Sequence, residues 1–154
     1  MSDASASGGE TLRSPHRLEY TYKRSLGDVL GRFFTGLRDG KIEGVKTTDG
    51  RVLVPPAEYD PNTGDATTGE WVEVGPGGVV ESWTWISAPR AKHPLDRPFA
   101  FALVKLDGAD TALLHAVDAG DEGRMSTGMR VTAKFAAETV GQIQDIACFV
   151  PEDA

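Results

Sequence analysis

Short runs of alternating apolar and polar residues, separated by glycine-rich corners, fill the chain from Lys41 onward. The run EWVEVGPGGVVESWTWIS, residues 70–87, alternates on both sides of GPGG, and Trp83 and Trp85 lie two positions apart. Side chains of a strand point to opposite faces at successive positions, so this period indicates half-buried strands and not helices. About six short strands with glycine at most corners favour a small Greek-key barrel over a large sandwich.

Further strand pairs are predicted around short turns. Residues 41–56, KIEGVKTTDGRVLVPP, place two short runs on either side of Asp49-Gly50, a dipeptide typical of tight hairpins. Residues 98–118, PFAFALVKLDGADTALLHAVD, form another pair around DGAD. The segments GMRVTAKFAAE and DIACFVPE supply two more strands, and the second of them carries Cys148, which we expect to be a packing residue.

One helix is predicted before these strands, within RSLGDVLGRFFTGLRDG, residues 24–40. Ser25 is a candidate N-cap with Asp28 three residues later, and Gly40 is a candidate stop. Its two internal glycines each cost about 1 kcal/mol relative to alanine, so the helix must gain stability from the surface on which it packs. That surface is either the rest of the chain or another protein. The apolar residues at helical spacing are Leu26, Val29, Leu30, Phe33, Phe34 and Leu37.

The net charge of −7 is distributed unevenly along the chain. Residues 1–51 hold nine Lys/Arg and seven Asp/Glu, whereas residues 52–154 hold seven Lys/Arg and sixteen Asp/Glu. Since phosphate neutralisation supplies most nucleic-acid affinity, the acidic part of the chain disfavours a nucleic-acid partner. The single cysteine, the absence of a charged-then-apolar leader and apolar runs too short for a bilayer lead us to expect a cytoplasmic protein.

The stretch KTTDGRVLVPPAEYDPNTGD, residues 46–65, has two polar turns flanking an apolar hairpin arm. It is followed in order by EWVEVGPGGVVESWTW, HPLDRPFAFALVKLDG and TGMRVTAKF. From about Ser25 to Glu152 this order resembles the DUF35 family, in which a helical arm and a rubredoxin-like zinc ribbon precede an OB-fold. Residues 1–17 are rich in Ser, Gly and Ala and lack apolar periodicity, so we expect a disordered tail there. The resemblance implies that the rest is mainly β with three parts: a helical arm (18–40), a degenerate zinc-ribbon hairpin (41–69) and an OB-fold domain (70–154).

The zinc ligands of the resembled family are missing from this chain. Family members carry a CxxC pair on each ribbon knuckle, and the matching positions here are Lys46, Asp49, Asp60 and Thr63. Two carboxylates do not make a structural zinc site, so we expect no zinc and no other cofactor. Asp60, Asn62 and Asp65 alternate loosely like a calcium loop, but the glycine is misplaced and Trp71 stands where the bidentate acid belongs. Both knuckles keep residues suited to metal-free turns.

No P-loop, GxGxxG, HExxH or Ser-His-Asp order is present. His115 alternates with apolar neighbours on one side of a predicted strand, so it is either a structural side chain or an acid, base or ligand contact. The loop PRAKHPLDRP, residues 89–98, groups Arg90, Lys92 and Arg97. These cations are either solvated or placed to recognise an anionic group such as a coenzyme A phosphate.

The resemblance also implies a function, because DUF35 proteins are partners of thiolase-like enzymes. We expect a non-catalytic accessory subunit that binds a thiolase-fold, lipid-transfer-protein-like aldolase or thiolase. It would shape the acyl-CoA channel in sterol side-chain or fatty-acyl-CoA metabolism. The helix residues expected to dock are Leu26, Leu30, Phe33, Phe34 and Leu37.

Two alternatives remain open. One is a single-stranded nucleic-acid-binding OB-fold protein that stacks bases on Trp83 and Trp85. The other is an acyl-CoA hydratase or aldolase in its own right, acting through His115.

Overall fold

The computed structural model describes residues 13–152. This part of the chain contains one α-helix, eight strands and two short 3₁₀ turns. The helix is α1 (Gly27–Arg38), and the 3₁₀ turns are Glu122–Arg124 and Ile143–Asp145. The strands are β1 (Ile42–Lys46), β2 (Val52–Leu53), β3 (Trp71–Val74), β4 (Gly77–Ile86), β5 (Phe99–Leu106), β6 (Ala112–Val117), β7 (Arg130–Phe135) and β8 (Ile146–Pro151).

Strands β4 to β8 close into a five-stranded barrel in the order β4-β5-β6-β8-β7, with β7 pairing back onto β4. All pairs are antiparallel except β6 with β8. This arrangement confirms the predicted mainly β chain with a small OB-like barrel behind one N-terminal helix. The eight strands of the described residues lie in the eight segments predicted from the sequence, although the predicted number was about six.

A register shift between Val80 and Ser82 places a β-bulge in β4. Bulges bend and twist a strand, which helps a five-stranded sheet close on itself. Beyond the bulge, Trp83 and Trp85 are half-buried and pack against the core. The two tryptophans therefore belong largely to the barrel wall.

The ribbon, residues 41–69, begins with the predicted hairpin around Asp49-Gly50. Its strands β1 and β2 pair through Val45 with Leu53 and Lys46 with Val52. Strand β3 pairs with the other side of β1, so this strand extends the sheet of the ribbon and not the barrel. A Cβ on Gly44 would come within 2.5 Å of a Val52 methyl carbon and 2.9 Å of Leu53 O.

Helix α1 begins two residues later than its predicted cap. Leu26 occupies the N-cap without a side-chain hydrogen bond, and Ser25 Oγ only accepts a long 3.4 Å bond from Gly27 N. The predicted Ser25–Asp28 capping pair is therefore wrong. The predicted stop at Gly40 is confirmed: its φ is +76°, and the bonds Gly40 N to Leu37 O and Lys41 N to Gly36 O form a Schellman motif.

The helix packs on its own chain. Phe33 and Leu37 are 1% and 0% exposed and join one continuous core with residues of the ribbon sheet and the barrel. At the edge of this contact, the Arg32 guanidinium lies 4.5 Å from the Trp71 ring centroid and 3.0 Å from Glu43. Within residues 13–152, no helix has the length and apolar character needed to cross a bilayer.

Candidate functional site

A cleft of about 540 Å³ opens on the outside of the barrel, between the loop that follows β4 and the 3₁₀ turn that precedes β8. Pocket volumes of this size are typical of small-molecule sites. The polar groups at the cleft are Lys92, His93, His115 and Gln144. The apolar residues that form most of its wall include Leu95, Phe101, Leu114, Ile143, Ile146 and Ala147.

His115 is the most deeply buried polar side chain of this cleft, with 8% of its surface exposed. Strand β6 holds the ring edge-on against Phe149, with the ring centroids 5.6 Å apart. Burial lowers the pKa of His115 below its ordinary value because the charged form loses solvation. The imidazole is therefore neutral near pH 7.

The hydrogen bonds of His115 determine which ring nitrogen carries the proton. Nδ1 accepts a 2.9 Å bond from the backbone N–H of Ala116, so in the neutral ring the proton lies on Nε2. Within residues 13–152, the acceptor near Nε2 is Ile143 O, at 3.5 Å. That distance exceeds the usual range for an N–H···O bond. His115 thus presents a weakly engaged donor in a mainly apolar wall.

Of the three cations of the loop 89–98, Lys92 lines the cleft, whereas Arg90 and Arg97 do not. Arg97 is engaged by Asp118, to which its Nε donates at 3.1 Å, and by Asp96 at 3.6 Å. Lys92 is exposed and lies at the rim of the cleft. His93 fixes the loop, because its Nδ1 accepts from the backbone N–H of Arg90 at 3.1 Å and its ring packs edge-on against Phe99 and Phe101.

The degenerate knuckles of the ribbon are joined by an arginine. Arg51 Nε donates to Asp49 Oδ2 at 2.9 Å, and Arg51 Nη2 donates to Asp60 Oδ2 at 2.6 Å. The Asp60 side chain is 1% exposed and also accepts from the backbone N–H of Asn62 at 2.9 Å. A guanidinium thus connects the two carboxylates at the positions that match family zinc ligands.

The other two degenerate positions are also occupied by protein contacts. Lys46 forms an ion pair with Glu70, and Thr63 Oγ1 accepts from the backbone N–H of Asp65 at 3.2 Å. The part of the chain described by the structure holds no group of three or more His, Cys, Asp or Glu side chains placed to bind a metal. The absence of zinc stays a prediction.

The apolar face of α1 divides into a buried and a surface part. Phe33 and Leu37 are core residues and cannot contact a partner in this conformation. Leu30 and Phe34 are half-buried, whereas Leu26 is 49% exposed. The predicted docking set is thus reduced to three residues that reach the surface.

The sequence reasoning missed an exposed apolar segment just before the helix. Residues 17–24, RLEYTYKR, form no regular secondary structure, and we call them the extended segment. Leu18, Tyr20 and Tyr22 are 69%, 77% and 81% exposed. The period-two spacing of these three residues could have revealed the segment, because it places three large apolar side chains on one face of an extended chain.

Comparisons with known proteins agree with this architecture. A family model described as the C-terminal OB-fold domain of ChsH2 matches residues 71–136. No curated protein matches the chain.

Two solved structures share the fold. The crystal structure of a DUF35 family protein of unknown function from Sulfolobus solfataricus has a TM-score of 0.56 and 26% identity, over 70% of this chain and 77% of that one. The structure titled Ltp2-ChsH2(DUF35) aldolase has a TM-score of 0.59 and 18% identity, over 84% of this chain and 98% of that one. At that identity the second likeness shows the fold alone. The family-model match and the likeness to a DUF35 structure support a DUF35 family protein with an OB-fold.

Proposed function

We propose that this chain is a non-catalytic accessory subunit of an acyl-CoA aldolase or thiolase. It binds a thiolase-fold, lipid-transfer-protein-like enzyme in the cytoplasm and completes the channel for the acyl-CoA substrate in sterol side-chain or fatty-acyl-CoA metabolism. The observation that carries this proposal is the match of residues 71–136 to the OB-fold domain of ChsH2. The fold shared with a chain of the Ltp2–ChsH2 aldolase supports it.

The composition of the cleft supports an accessory role over independent catalysis. A histidine acts as general base through an unprotonated nitrogen that faces the reacting group, and in a catalytic triad a carboxylate holds the protonated nitrogen on the other side. His115 has a different arrangement, with its proton on Nε2. Its Nδ1 accepts instead from a backbone N–H, and no carboxylate lines the cleft within residues 13–152. The nucleophile or base therefore belongs to the partner enzyme.

The extended segment is the docking element that we propose in place of the whole helix face. Leu18, Tyr20 and Tyr22 alternate with polar residues, which suits a strand added to the edge of a sheet or an extended chain laid in a groove. Tyrosine is enriched at interfaces because it buries a large apolar area and keeps a polar tip. Leu26, Leu30 and Phe34 of α1, which also reach the surface, are included in the proposed docking set.

The rim of the cleft is the proposed contact for the anionic part of coenzyme A. Lys92 stands at the opening, and Arg90 lies two residues away in the same exposed loop. Arg97, which is engaged by Asp118, holds the loop in place. The acyl group would then lie along the apolar wall near His115.

Co-expression with thiolase-fold enzymes from the same gene neighbourhood tests the proposal. The two chains are expected to co-purify, and the enzyme is expected to lose solubility or activity when expressed alone. The double variant Tyr20→Ser with Tyr22→Ser should weaken the complex by at least about tenfold, because it removes two exposed aromatic anchors. Tyr59→Ser is the matched control, since Tyr59 is 60% exposed but lies in the ribbon.

A complex that forms equally well with the double variant would remove the extended segment from the interface. An enzyme that is equally soluble and active without this chain would overturn the accessory role itself. Both variants change only exposed side chains, so circular dichroism should show an unchanged fold.

A further inference from the structure

One wall of the cleft combines apolar surface with a single buried donor. Ile143, Ile146 and Phe101 contribute apolar surface, and His115 is more than nine-tenths buried beside them. Among the described residues, the acceptor near Nε2 is Ile143 O at 3.5 Å, which is too long for a strong hydrogen bond. Because His115 lines the cleft, a ligand that offers an acceptor there can form a shorter hydrogen bond with Nε2 than Ile143 O does.

We propose that this cleft binds an apolar ligand through a neutral carbonyl oxygen that accepts a hydrogen bond from His115 Nε2–H. This deepens the proposed function, on which it rests for the identity of the carbonyl as an acyl thioester. His115 is then a specificity-determining residue of this chain, whereas the reacting groups belong to the partner enzyme. It recognises an oxygen atom and transfers no proton.

The direction of the hydrogen bond follows from the fixed tautomer of His115. The backbone N–H of Ala116 occupies Nδ1 at 2.9 Å, so the ring cannot offer that nitrogen to a ligand. Phe149 packs edge-on against the ring with centroids 5.6 Å apart, which limits its reorientation. Nε2 can therefore only donate while the ring is neutral.

The apolar surroundings select a neutral acceptor over a carboxylate. A carboxylate placed at the wall of Ile143 and Ile146 would lose its hydration and gain one hydrogen bond from a neutral ring. A ketone or thioester oxygen pays a much smaller desolvation cost. The cation of the cleft, Lys92, is exposed at the rim, where an anionic group of the same ligand would remain hydrated.

The size of the cleft limits the ligand class. A volume of about 540 Å³ accommodates one or two rings or a medium-length acyl chain. Typical small-molecule sites fall in the range of roughly 300–1,000 Å³. With its mainly apolar lining, a cleft of this size suits an apolar carbonyl compound better than a nucleotide.

A matched pair of probes isolates the carbonyl oxygen. Cyclohexyl phenyl ketone and cyclohexylphenylmethane have the same rings, and only the first has an acceptor. Binding of each to the isolated 154-residue chain is measured by NMR titration of ¹⁵N-labelled histidine side chains. The ketone is expected to bind about tenfold more tightly than the hydrocarbon. It should also shift the His115 Nε2 resonance.

Two substitutions identify the donor. His115→Phe keeps a ring of similar size without the N–H, so both probes should bind with equal affinity. His115→Gln keeps an N–H donor and should retain part of the preference for the ketone. Equal affinity of the wild-type chain for the two probes would overturn the inference, and so would failure of both to saturate.

An unchanged preference for the ketone in His115→Phe would also overturn it, because the carbonyl would then be recognised elsewhere. The titration contains neither a partner enzyme nor coenzyme A. The titration therefore tests the carbonyl preference alone, whereas co-purification with the partner enzyme tests the accessory role.

Discussion

The barrel and the ribbon share one continuous core but keep their shapes by different interactions. In the barrel, Val80, Val104 and Phe149 are completely buried, and the sheet closes on itself. In the ribbon, the two knuckles are joined by the Arg51 guanidinium between two aspartates. The difference shows that a ribbon lacking metal ligands can be organised by a charge-assisted hydrogen-bond network, provided that its hairpin also packs on a larger apolar core.

The ribbon is also tied to the barrel through strand β2. Asp110 in the loop between β5 and β6 accepts from Val52 N at 2.8 Å, and its own N–H donates to Val52 O at 2.9 Å. Thr111 Oγ1 accepts from Val54 N at 2.7 Å and donates to Val54 O at 2.9 Å. The outer edge of β2 is therefore paired with the barrel loop, which holds the hairpin independently of its knuckles.

The largest loss of stability is expected from a cavity in the barrel. Phe149→Ala removes a completely buried ring from β8 and should lower the free energy of unfolding by about 3–5 kcal/mol. Denaturant unfolding followed by tryptophan fluorescence measures the change. Leu114→Ala on the adjoining strand is the control and should stay within about 0.5 kcal/mol, since Leu114 is 61% exposed. Equal losses for the two variants would contradict the assignment of the barrel core.

A smaller loss is expected from the ribbon when its arginine is removed. Arg51→Met keeps much of the aliphatic stem but leaves the Asp60 carboxylate, 1% exposed, without its cation. Removing one partner of a buried ion pair is destabilising because the remaining charge is uncompensated. The thermal midpoint should fall measurably, by less than in Phe149→Ala.

Lys46→Met is the matched control for Arg51→Met. Its partner Glu70 has a side chain that is 60% exposed, and such exposed pairs contribute little, so the free energy of unfolding should change by no more than about 0.5 kcal/mol.

Added chelator or zinc should leave the thermal midpoint of the wild-type chain unchanged. A rise with zinc that Asp60→Asn abolishes would show that the ribbon binds metal. If the Arg51→Met variant has the same thermal midpoint as the wild-type chain, packing alone holds the knuckles.

The elements with a strong local signal were predictable from the sequence. The Asp49-Gly50 hairpin and the strand pair around DGAD form as expected, because turn chemistry and alternation act over neighbouring residues. The pairing of β3 with β1 was not predictable, since it joins strands separated by more than twenty residues. The start of α1 was also missed, because Leu26 and not Ser25 takes the N-cap position.

The candidate site was predicted in pieces. His115 and the loop with Lys92 were both singled out, but only the fold shows that they line one cleft. Phe33 was assigned to a partner because a helical stripe does not reveal which protein covers it; the structure places it in the core. Arg51 was overlooked, although an arginine between two acidic turns is a readable sign of an ion pair.

The smallest effect is expected from the titration of Asp49. The Thr47 hydroxyl, and after it the Arg51 guanidinium, donate to this carboxylate and lower the pKa of Asp49 to about 2, from an ordinary value of 3.8. Because the folded value lies below the unfolded one, the carboxylate stabilises the fold fully above about pH 4. This contribution is lost as the pH falls through about 2.

Asp49→Asn isolates this contribution from those of other carboxylates. Arg130 lowers the pKa of Asp107. Burial raises the pKa of Asp145, but hydrogen bonds from three backbone N–H groups outweigh it, so this pKa is also lowered. The whole chain therefore loses stability in acid. The difference in thermal midpoint between the wild type and Asp49→Asn should therefore be constant from pH 7 to 5 and shrink between pH 4 and 2. A difference that stays constant down to pH 2 would mean that the negative charge of Asp49 does not stabilise the ribbon. The hydrogen bond from Thr47, which asparagine can also accept, would then not depend on that charge.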